Sequence, residues 1–358
     1  MPDSANLLSE TEALKNQLKQ AELPDDLRDK ALQMVARLDR MAQYGTYAQE
    51  FEQVAHYIDW VTHVAWRKRS EDILDLNHAK EVLNHNHYGL NQIKDRILEY
   101  LSVMQLKRRQ GVDVDSAGIQ KFMRAPILFF VGLVGTGKTT IAYSIAEAMG
   151  RKFERIPFGG LGDPLMLRGQ SRAHPDAEPG MVIKAIRRAG VKNPVILLDE
   201  LDRVTEEGRT SIMGTLVELL DPEQNSAFND HFLDYPFDLS EVLFIATANN
   251  TANISTAVLD RLEVIQMPSY SDDEKIHIGK EYVLPRMMKE SGIPERTITI
   301  EDNAWHKIVR PLGFDSGIRT LERTINGICR KVARLIIENQ GREFHLTEEN
   351  IKDFLPTW

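Results

Sequence analysis

The sequence predicts an α/β fold in which helices cover both faces of a parallel β-sheet, with a helical region before the sheet and a smaller helical domain after it. In the middle of the chain, short runs of consecutive apolar residues alternate with helix-like segments. Such continuous runs are typical of strands buried on both faces, as in parallel sheets between two layers of helices. The two ends of the chain show helical spacing instead.

The first 80 or so residues predict helices. Pro24, Asp25 and Asp26 read as a helix start, and two stretches of apolar residues at helical spacing follow. These are Leu27, Ala31, Met34, Val35, Leu38 and Met41, then Phe51, Val54, Ile58, Val61 and Ala65. We expect a bundle that packs on itself or on a neighbouring subunit, or else a module for assembly or substrate docking. Two histidines, His85 and His87, lack the further ligands at the spacing that would predict a metal site.

Beyond this region the chain reads as an amphipathic helix at 90–109 and a polar loop at 110–118. The predicted strands are Pro126–Val131, Phe153–Pro157, Val195–Leu198, Val242–Thr247 and Val264–Met267. The later predicted helices are Ile276–Lys289, Asp302–Val309 and Gly317–Glu338. We therefore expect a helical region at 1–80, an α/β domain at 81–270 and an all-helical domain at 271–358.

Residues 132–139 read GLVGTGKT between the first predicted strand and a helix expected at 141–149. In such a loop the glycines let successive N–H groups point at phosphates, Lys138 adds a positive charge and the Thr139 hydroxyl can ligate Mg²⁺. The helix that follows adds the positive end of its dipole. The segment predicts a P-loop NTPase that binds a nucleoside triphosphate. The expected binding residues are Gly132, Gly135, Thr136, Gly137, Lys138, Thr139 and Thr140.

Polar residues at the ends of two later strands complete this chemistry. Asp199 and Glu200 follow the apolar run 195–198, which places them beside the phosphate loop at the carboxyl edge of the sheet. Asp199 can hold Mg²⁺ together with Thr139, and Glu200 can polarise the attacking water. Asn249 ends another apolar strand, where it either orients that water or caps the strand.

Composition sets outer limits on function. A net charge of −9 disfavours general binding to DNA or RNA, although it permits a local basic patch. Cys329 is the single cysteine, which excludes an internal disulfide and suits a reducing compartment. We expect it to be a packed helix residue. No export signal or long apolar span is apparent, so we expect a cytoplasmic protein without a membrane anchor.

Several longer blocks of sequence resemble the AAA+ ATPase portion of the Lon proteases, from about Leu14 to Phe354. The blocks are His87–Leu90, Leu220–Asn225, Pro236–Ser240, Leu259–Ile265 and Ser316–Arg323. Together they are far more specific than the phosphate loop alone.

The resemblance implies a hexameric ring with ATP bound between subunits. It implies that Asn249 is sensor 1, that Arg261 is the arginine finger for the neighbour's nucleotide, and that Arg319 is sensor 2. A guanidinium suits the last two roles because it stays charged and offers a fork of donors. Without the resemblance, Arg261 and Arg319 would be read as surface ion pairs. Tyr88 and Gly89 match the segment beside the adenine, and residues from about 271 onward match the helical lid.

The sequence also departs from the Lon pattern. Lon proteases continue into a peptidase domain with a serine–lysine dyad, which residues up to Trp358 do not contain. The chain is then either a fragment of a longer protease or a natural ATPase that lacks its own peptidase, for which a separate peptidase is an expected partner. In the loop that should grip substrate, His174 and Pro175 stand where the family has an aromatic and an aliphatic residue. The loop at 205–212 lacks the family's usual Arg-Gly-Asp-Pro run. Leu133 and Val134 replace two prolines.

Three hypotheses follow. The first is an ATP-driven motor that unfolds or remodels polypeptides, favoured by the intact nucleotide-binding pattern. The second is a nucleotide-switched binding or scaffold protein, favoured by His174 and Pro175, because histidine is smaller than tyrosine and proline stiffens the backbone. The third is a DNA-remodelling ATPase, which the net acidity and the Lon-like blocks disfavour.

Overall fold

A computed structural model describes residues 4–42, 48–109, 127–310 and 317–356. The polar loop predicted at 110–118 lies outside the described residues. So do Pro126, Ser316 and the chain ends at 1–3 and 357–358.

Three helices form the N-terminal region: α1 (Ser4–Gln20), α2 (Asp25–Ala42) and α3 (Ala48–His63). As predicted, α2 begins directly after Pro24, and its first turn carries Asp25 and Asp26, whose charges suit the helix dipole. The helices pack on one another and also on the α/β core. The Tyr57 hydroxyl of α3, for example, donates to the Leu233 carbonyl at 3.1 Å. The contact with the core is a feature that the helical spacing did not predict.

The central part of the chain alternates helices and strands. Its helices are α4 (Leu76–Asn86), α5 (Asn91–Arg109), α6 (Lys138–Ala148), α7 (Leu165–Arg168), α8 (Met181–Ala189), α9 (Arg209–Leu220) and α10 (Thr256–Leu259). Its strands are β1 (Ile127–Val131), β2 (Phe153–Pro157), β3 (Val195–Asp199), β4 (Phe228–Asp230), β5 (Tyr235–Phe237), β6 (Leu243–Ala248) and β7 (Leu262–Gln266). Five of the strands form one sheet in the order β2-β3-β6-β1-β7, and all of its pairs are parallel.

Both faces of this sheet are buried, which confirms the α/β prediction. Leu128 and Phe130 of β1 pack with α4, α5 and α6 on one face. Phe129 and Val131 point to the other face and share a buried cluster with the N-terminal helices. The predicted strands match the observed ones within one or two residues. The short antiparallel pair of β4 and β5 was not predicted, because three-residue strands leave too little pattern.

The C-terminal region is mainly helical and has its own buried cluster around Trp305, Ile325 and Ile328. Its helices are α11 (Asp272–Ile278), α12 (Leu284–Glu290), α13 (Trp305–Val309), α14 (Arg319–Ile337) and α15 (Ile351–Phe354). The predicted helix 276–289 is interrupted by a π-helical turn at Gly279–Val283, where the Trp305 ring lies against Gly279.

The prediction of an all-helical C-terminal domain was wrong. Strands β8 (Ile298–Ile300) and β9 (Phe344–Leu346) pair in parallel, with Ile298 beside Phe344 and Ile300 beside Leu346. Each strand is three residues long, so its alternation is too short to distinguish from a loop in the sequence. In the described part of the chain, no helix is both long enough and apolar enough to cross a membrane.

Candidate functional site

The loop between β1 and α6 has the curled backbone that phosphate binding requires. Gly135 and Gly137 adopt φ angles of 84° and 91°, a left-handed region that side chains with a Cβ rarely enter. Gly137 caps the N-terminus of α6, so the loop delivers the chain directly into the helix. Backbone N–H groups and the positive end of the helix dipole therefore face the same space.

Lys138 spans the loop and reaches the neighbouring strand. Its Nζ donates to the carbonyls of Gly132 at 2.6 Å and Leu133 at 3.0 Å, and to Asn249 Oδ1 at 3.2 Å. Burial lowers the pKa of Lys138, while the nearby carboxylates of Asp199 and Asp202 act in the opposite direction. The contact with Asn249 joins the ends of β1 and β6 at the carboxyl edge of the sheet.

Asp199 ends β3 in the same place and is buried, with 4% of the residue exposed. Its Oδ1 accepts a short hydrogen bond from the Thr247 hydroxyl. Its Oδ2 accepts from Arg155 Nε at 2.6 Å, and Arg155 Nη2 lies at the same distance. Two fixed donors thus hold the carboxylate in one orientation beside the loop.

Glu200 follows Asp199 with a left-handed backbone, at φ 61° and ψ 50°. This conformation is uncommon for a residue with a side chain and is often found where function requires it. Its N–H donates to Thr247 Oγ1 at 3.0 Å, and its carboxylate lies 3.3 Å from Arg203 Nη1. The turn directs the Glu200 side chain into the cleft between the loop and the C-terminal domain, where it is partly exposed.

The C-terminal domain closes the cleft through the start of α14. The Ile318 N–H donates to the Gly135 carbonyl at 3.0 Å. A Cβ on Gly317 would lie 2.5 Å from the Val134 carbonyl oxygen, so this approach requires glycine. Arg319, the first residue of α14, consequently lines the cleft and is exposed there.

Aromatic and aliphatic side chains also line the cleft. Tyr88 stacks on His277 of α11 with ring centroids 4.0 Å apart, and Ile278 and Tyr282 are among the lining residues. Gly89 has a φ of 63° and turns the chain between α4 and α5 without itself lining the cleft. A planar base would find an apolar surface here.

The structure brings most of the predicted site residues together. The cleft is lined by Tyr88, Gly135, Gly137, Lys138, Thr139, Thr140, Asp199, Glu200, Asn249 and Arg319. Gly132 and Thr136 shape the loop from behind. A Cβ on Gly132 would lie 2.6 Å from the Met267 carbonyl oxygen, and the fully buried Thr136 donates to the Leu133 carbonyl at 2.9 Å.

Arg261 lies apart from this cleft. It precedes β7, and its carbonyl accepts from the Ile127 N–H at the start of β1, whereas the phosphate loop follows the end of β1. The strand separates them by roughly 15 Å, which is farther than a guanidinium reaches within its own chain. Arg261 Nη2 donates to Asp221 Oδ2 at 2.8 Å, and this bond holds the pKa of the Asp221 carboxyl below its usual range.

The loop that contains His174 and Pro175 is narrow at its base. Gly169 and Gly180 meet there so closely that a Cβ on Gly180 would lie 2.0 Å from the Leu167 carbonyl oxygen. The buried Asp230 carboxylate accepts from the Gly180 N–H at 2.7 Å. Further along the loop, Arg172 lies over the Tyr57 ring at 4.0 Å.

Two residues that hold Asp199 and Glu200 in place were not predicted. Thr247 connects Asp199 to Glu200, and Arg155 holds Asp199 from the neighbouring strand. Thr247 lies two residues before Asn249, so strand alternation could have placed both on one face. Arg155 carries no such signal, because its register beside Leu197 depends on which strands pair.

The residues present fit a magnesium nucleotide. Hydroxyl and carboxylate oxygens from Thr139 and Asp199 are the donors that Mg²⁺ prefers. Left-handed glycines form a backbone cradle suited to phosphates, and Lys138 and Arg319 bring two positive charges to one cleft.

Comparison with known proteins gives the family. Residues 128–270 match the ATPase family associated with various cellular activities (AAA), and residues 289–344 match the Lon protease AAA+ ATPase lid domain. The chain is 40% identical over 347 residues to the Lon protease of Heliobacterium modesticaldum, covering 97% of this chain and 41% of that protein. It is 42% identical over 353 residues to the Lon protease of Lawsonia intracellularis, covering 99% of this chain and 41% of the relative. Lon protease 2 of Thermus thermophilus is 40% identical over 348 residues, or 97% of this chain and 42% of its own length.

The chain thus spans about two fifths of the length of these curated relatives. The matched segments coincide with the α/β core and the C-terminal domain described above, and the C-terminal domain is the lid. From its fold and from both matches, the chain carries an AAA ATPase domain followed by a Lon lid domain and is an AAA+ ATPase module resembling the ATPase region of Lon proteases.

Proposed function

We propose that the chain binds Mg²⁺ and ATP in the cleft and couples ATP hydrolysis to the remodelling of polypeptides. The observation that carries this proposal is the convergence of Lys138, Asp199 and Arg319 on one cleft between core and lid. The loop N–H groups and Lys138 hold the phosphates. Thr139 and Asp199 hold Mg²⁺, which neutralises phosphate charge. Tyr88, positioned by Gly89, supplies a surface for the base.

In hydrolysis, Glu200 acts as the base that polarises water, and Asn249 orients it. Lys138, whose charge holds the phosphates in this proposal, donates to Asn249 Oδ1. This hydrogen bond connects the phosphate-binding lysine to the amide that orients the water. Arg319 stabilises charge that develops on the terminal phosphate, because it is permanently protonated and enters from the lid.

The catalytic contribution of Arg261 comes from a neighbouring subunit in a ring, for which we propose a hexamer. Its position at the opposite end of β1 from its own phosphate loop supports action on another subunit. The ion pair with Asp221 holds the guanidinium while it is presented to that subunit.

The proposed substrates are polypeptides, and a peptidase, in the same or a separate chain, is a proposed partner. Nucleic acid is disfavoured by the net charge of −9. A cytoplasmic site of action suits the single cysteine. We propose the division into a helical region at 1–80, a nucleotide-binding domain at 81–270 and a lid at 271–358. The separate buried cluster of the lid supports the last boundary.

One observation favours a second function, a nucleotide-switched scaffold. Arg172 attaches the loop that contains His174 and Pro175 to the N-terminal helices, because it lies over the Tyr57 ring and 3.6 Å from Met34 Sδ. A loop that is held in this way and has no large aromatic side chain at positions 174 and 175 would bind a polypeptide weakly.

Steady-state ATP turnover with and without reduced casein tests the proposal. Glu200→Gln serves as the blank, since it retains the size of the side chain and should bind nucleotide while turnover falls at least a hundredfold. Stimulation by casein supports the motor, and turnover without stimulation supports the scaffold. Unchanged turnover in Glu200→Gln would refute the assigned base.

A further inference from the structure

Arg155 makes a contact that the assigned ATPase chemistry does not use. It lies on β2, the strand at the edge of the sheet, and its register partner on β3 is Leu197, two residues before Asp199. Residues in register on parallel strands share a face, so Arg155 and Asp199 project from the same side. Both Nε and Nη2 of Arg155 lie 2.6 Å from Asp199 Oδ2.

The two partners differ in their surroundings. The Asp199 side chain is 6% exposed, whereas that of Arg155 is 51% exposed. The guanidinium therefore reaches from the surface onto a buried carboxylate. Because arginine does not deprotonate in proteins, its charge is present at every working pH. The charge of Lys138, in the phosphate loop, also acts on this carboxylate.

The two carboxylate oxygens of Asp199 also differ in the donors that they contact. Each carboxylate oxygen offers about two lone pairs. Oδ2 accepts from Arg155 Nε and also lies 2.6 Å from Arg155 Nη2, while Oδ1 accepts from the Thr247 hydroxyl and keeps capacity for one further donor. A magnesium ion held through Asp199 therefore faces a carboxylate whose charge is already partly neutralised.

We infer that Arg155 competes with Mg²⁺ for the charge of Asp199 and so weakens the hold of the cleft on the metal. This inference rests on the proposed binding of Mg²⁺ and ATP at this cleft. A positive charge beside a carboxylate that holds a metal opposes the binding of a divalent cation there, and the effect is reduced where the guanidinium meets solvent. The arginine thereby sets the Mg²⁺ concentration at which nucleotide is held.

A purely orienting role would have the opposite sign. If Arg155 served only to fix Asp199 in the right direction, its removal would loosen the carboxylate and weaken Mg²⁺ binding. If it competes, its removal strengthens Mg²⁺ binding. The sign of one measured shift separates the two roles.

The experiment measures binding of a fluorescent ATP analogue while free Mg²⁺ is titrated from an EDTA-buffered solution. The full chain is compared with Arg155→Gln and Arg155→Lys. Arg188→Gln is the matched control: Arg188 is 53% exposed and pairs with Glu154 at 2.8 Å, next to Arg155 in sequence. It removes one positive charge beside β2 without removing a contact with Asp199.

We expect the Mg²⁺ midpoint of Arg155→Gln to fall by roughly tenfold, as the loss of a partly solvated neighbouring charge implies. Arg155→Lys keeps the charge but loses the two neighbouring guanidinium nitrogens, so its Mg²⁺ midpoint should lie between those of the parent and Arg155→Gln. Arg188→Gln should stay within about twofold of the parent because its charge is more distant and screened. Thermal unfolding in EDTA establishes that each variant is folded.

A midpoint in Arg155→Gln that is unchanged or higher overturns the inference while leaving the proposed function standing. Should that variant not fold, a midpoint in Arg155→Lys at or above the parental value has the same meaning. If the parent chain shows no Mg²⁺-dependent nucleotide binding, the proposed function itself fails, and the inference fails with it.

Discussion

At the scale of single residues, Thr247 explains how two adjacent acids are held in different orientations. Its hydroxyl donates to Asp199 Oδ1 and accepts from the Glu200 N–H. The second bond satisfies a backbone donor in the left-handed turn, a conformation that costs Glu200 about 1 kcal/mol. Asp199 is therefore fixed inside, while the Glu200 side chain turns toward the cleft.

Two other side chains were ambiguous in the sequence. Cys329 is fully buried in the lid, and burial raises the pKa of its thiol to about 11, which fits the expected packing role. His87 is buried beside α6, and its Nε2 lies 2.9 Å from Ser144 Oγ. Burial, and then the charge of Lys94, lowers the pKa of His87 to about 4 from an ordinary 6.5.

We predict that His87 makes the fold sensitive to mild acid. Since its folded pKa lies below its unfolded pKa, its contribution to stability is complete above pH 6.5 and declines as the pH falls toward 4. Between pH 7.5 and 5 this amounts to about 2 kcal/mol of unfolding free energy. Urea unfolding of the parent and of His87→Gln at both pH values measures it.

His85→Gln is the control, because His85 is a neighbouring histidine with an exposed side chain. The loss of stability between the two pH values should be smaller by about 2 kcal/mol in His87→Gln and unchanged in His85→Gln. An equal loss in all three proteins would show that His87 does not cause it.

At the scale of elements, the packing of the start of α14 on the phosphate loop brings Arg319 of the lid into the cleft. Gly317 approaches Gly135 so closely that its Cβ would fall within 2.7 Å of the Gly135 Cα. The next residue, Ile318, donates its N–H to the loop. Loop and lid thus form one unit, and Arg319 enters the cleft because the helix starts there.

We predict that Gly317→Ala separates lid and loop and weakens nucleotide binding. The added methyl group cannot be accommodated without a shift of backbone, which typically costs about 1–3 kcal/mol and would raise the dissociation constant by roughly tenfold or more. Isothermal titration with ADP and Mg²⁺ measures the change.

Gly214→Ala provides the comparison, since Gly214 lies in α9 with open space around the position of a Cβ. It should leave affinity unchanged and stabilise the helix by up to about 1 kcal/mol. Equal ADP affinity in Gly317→Ala and Gly214→Ala would contradict a role for the Gly317 contact.

At the scale of the whole molecule, the separation of Arg261 from its own cleft is the main argument for shared active sites. The two features lie at opposite edges of the sheet, near Ile127 and after Val131. A cyclic assembly would bring the arginine of one subunit to the nucleotide of the next through a heterologous interface.

We predict that Arg261→Ala abolishes turnover and that mixing it with Lys138→Ala subunits restores part of it. In a random equimolar mixture, roughly a quarter of the interfaces pair an intact phosphate loop with an intact arginine. ATP turnover of the mixture, compared with each variant alone, measures the recovery. No recovery, or no oligomer at micromolar protein by light scattering, would contradict shared sites.

The sequence by itself determined the elements and the chemistry that lie close together in the chain. Consecutive apolar residues set the five long strands, and the spacing of glycines around Lys138 set the phosphate loop, because backbone conformation and burial depend on local pattern. The pairing of β2 with β3, which brings Arg155 to Asp199, was decided by the tertiary structure. So were the contact of Gly317 with the loop, the short strands of the lid and the packing of α3 on the core. These contacts join residues far apart in sequence, and their energies depend on shape and register that no local spacing encodes.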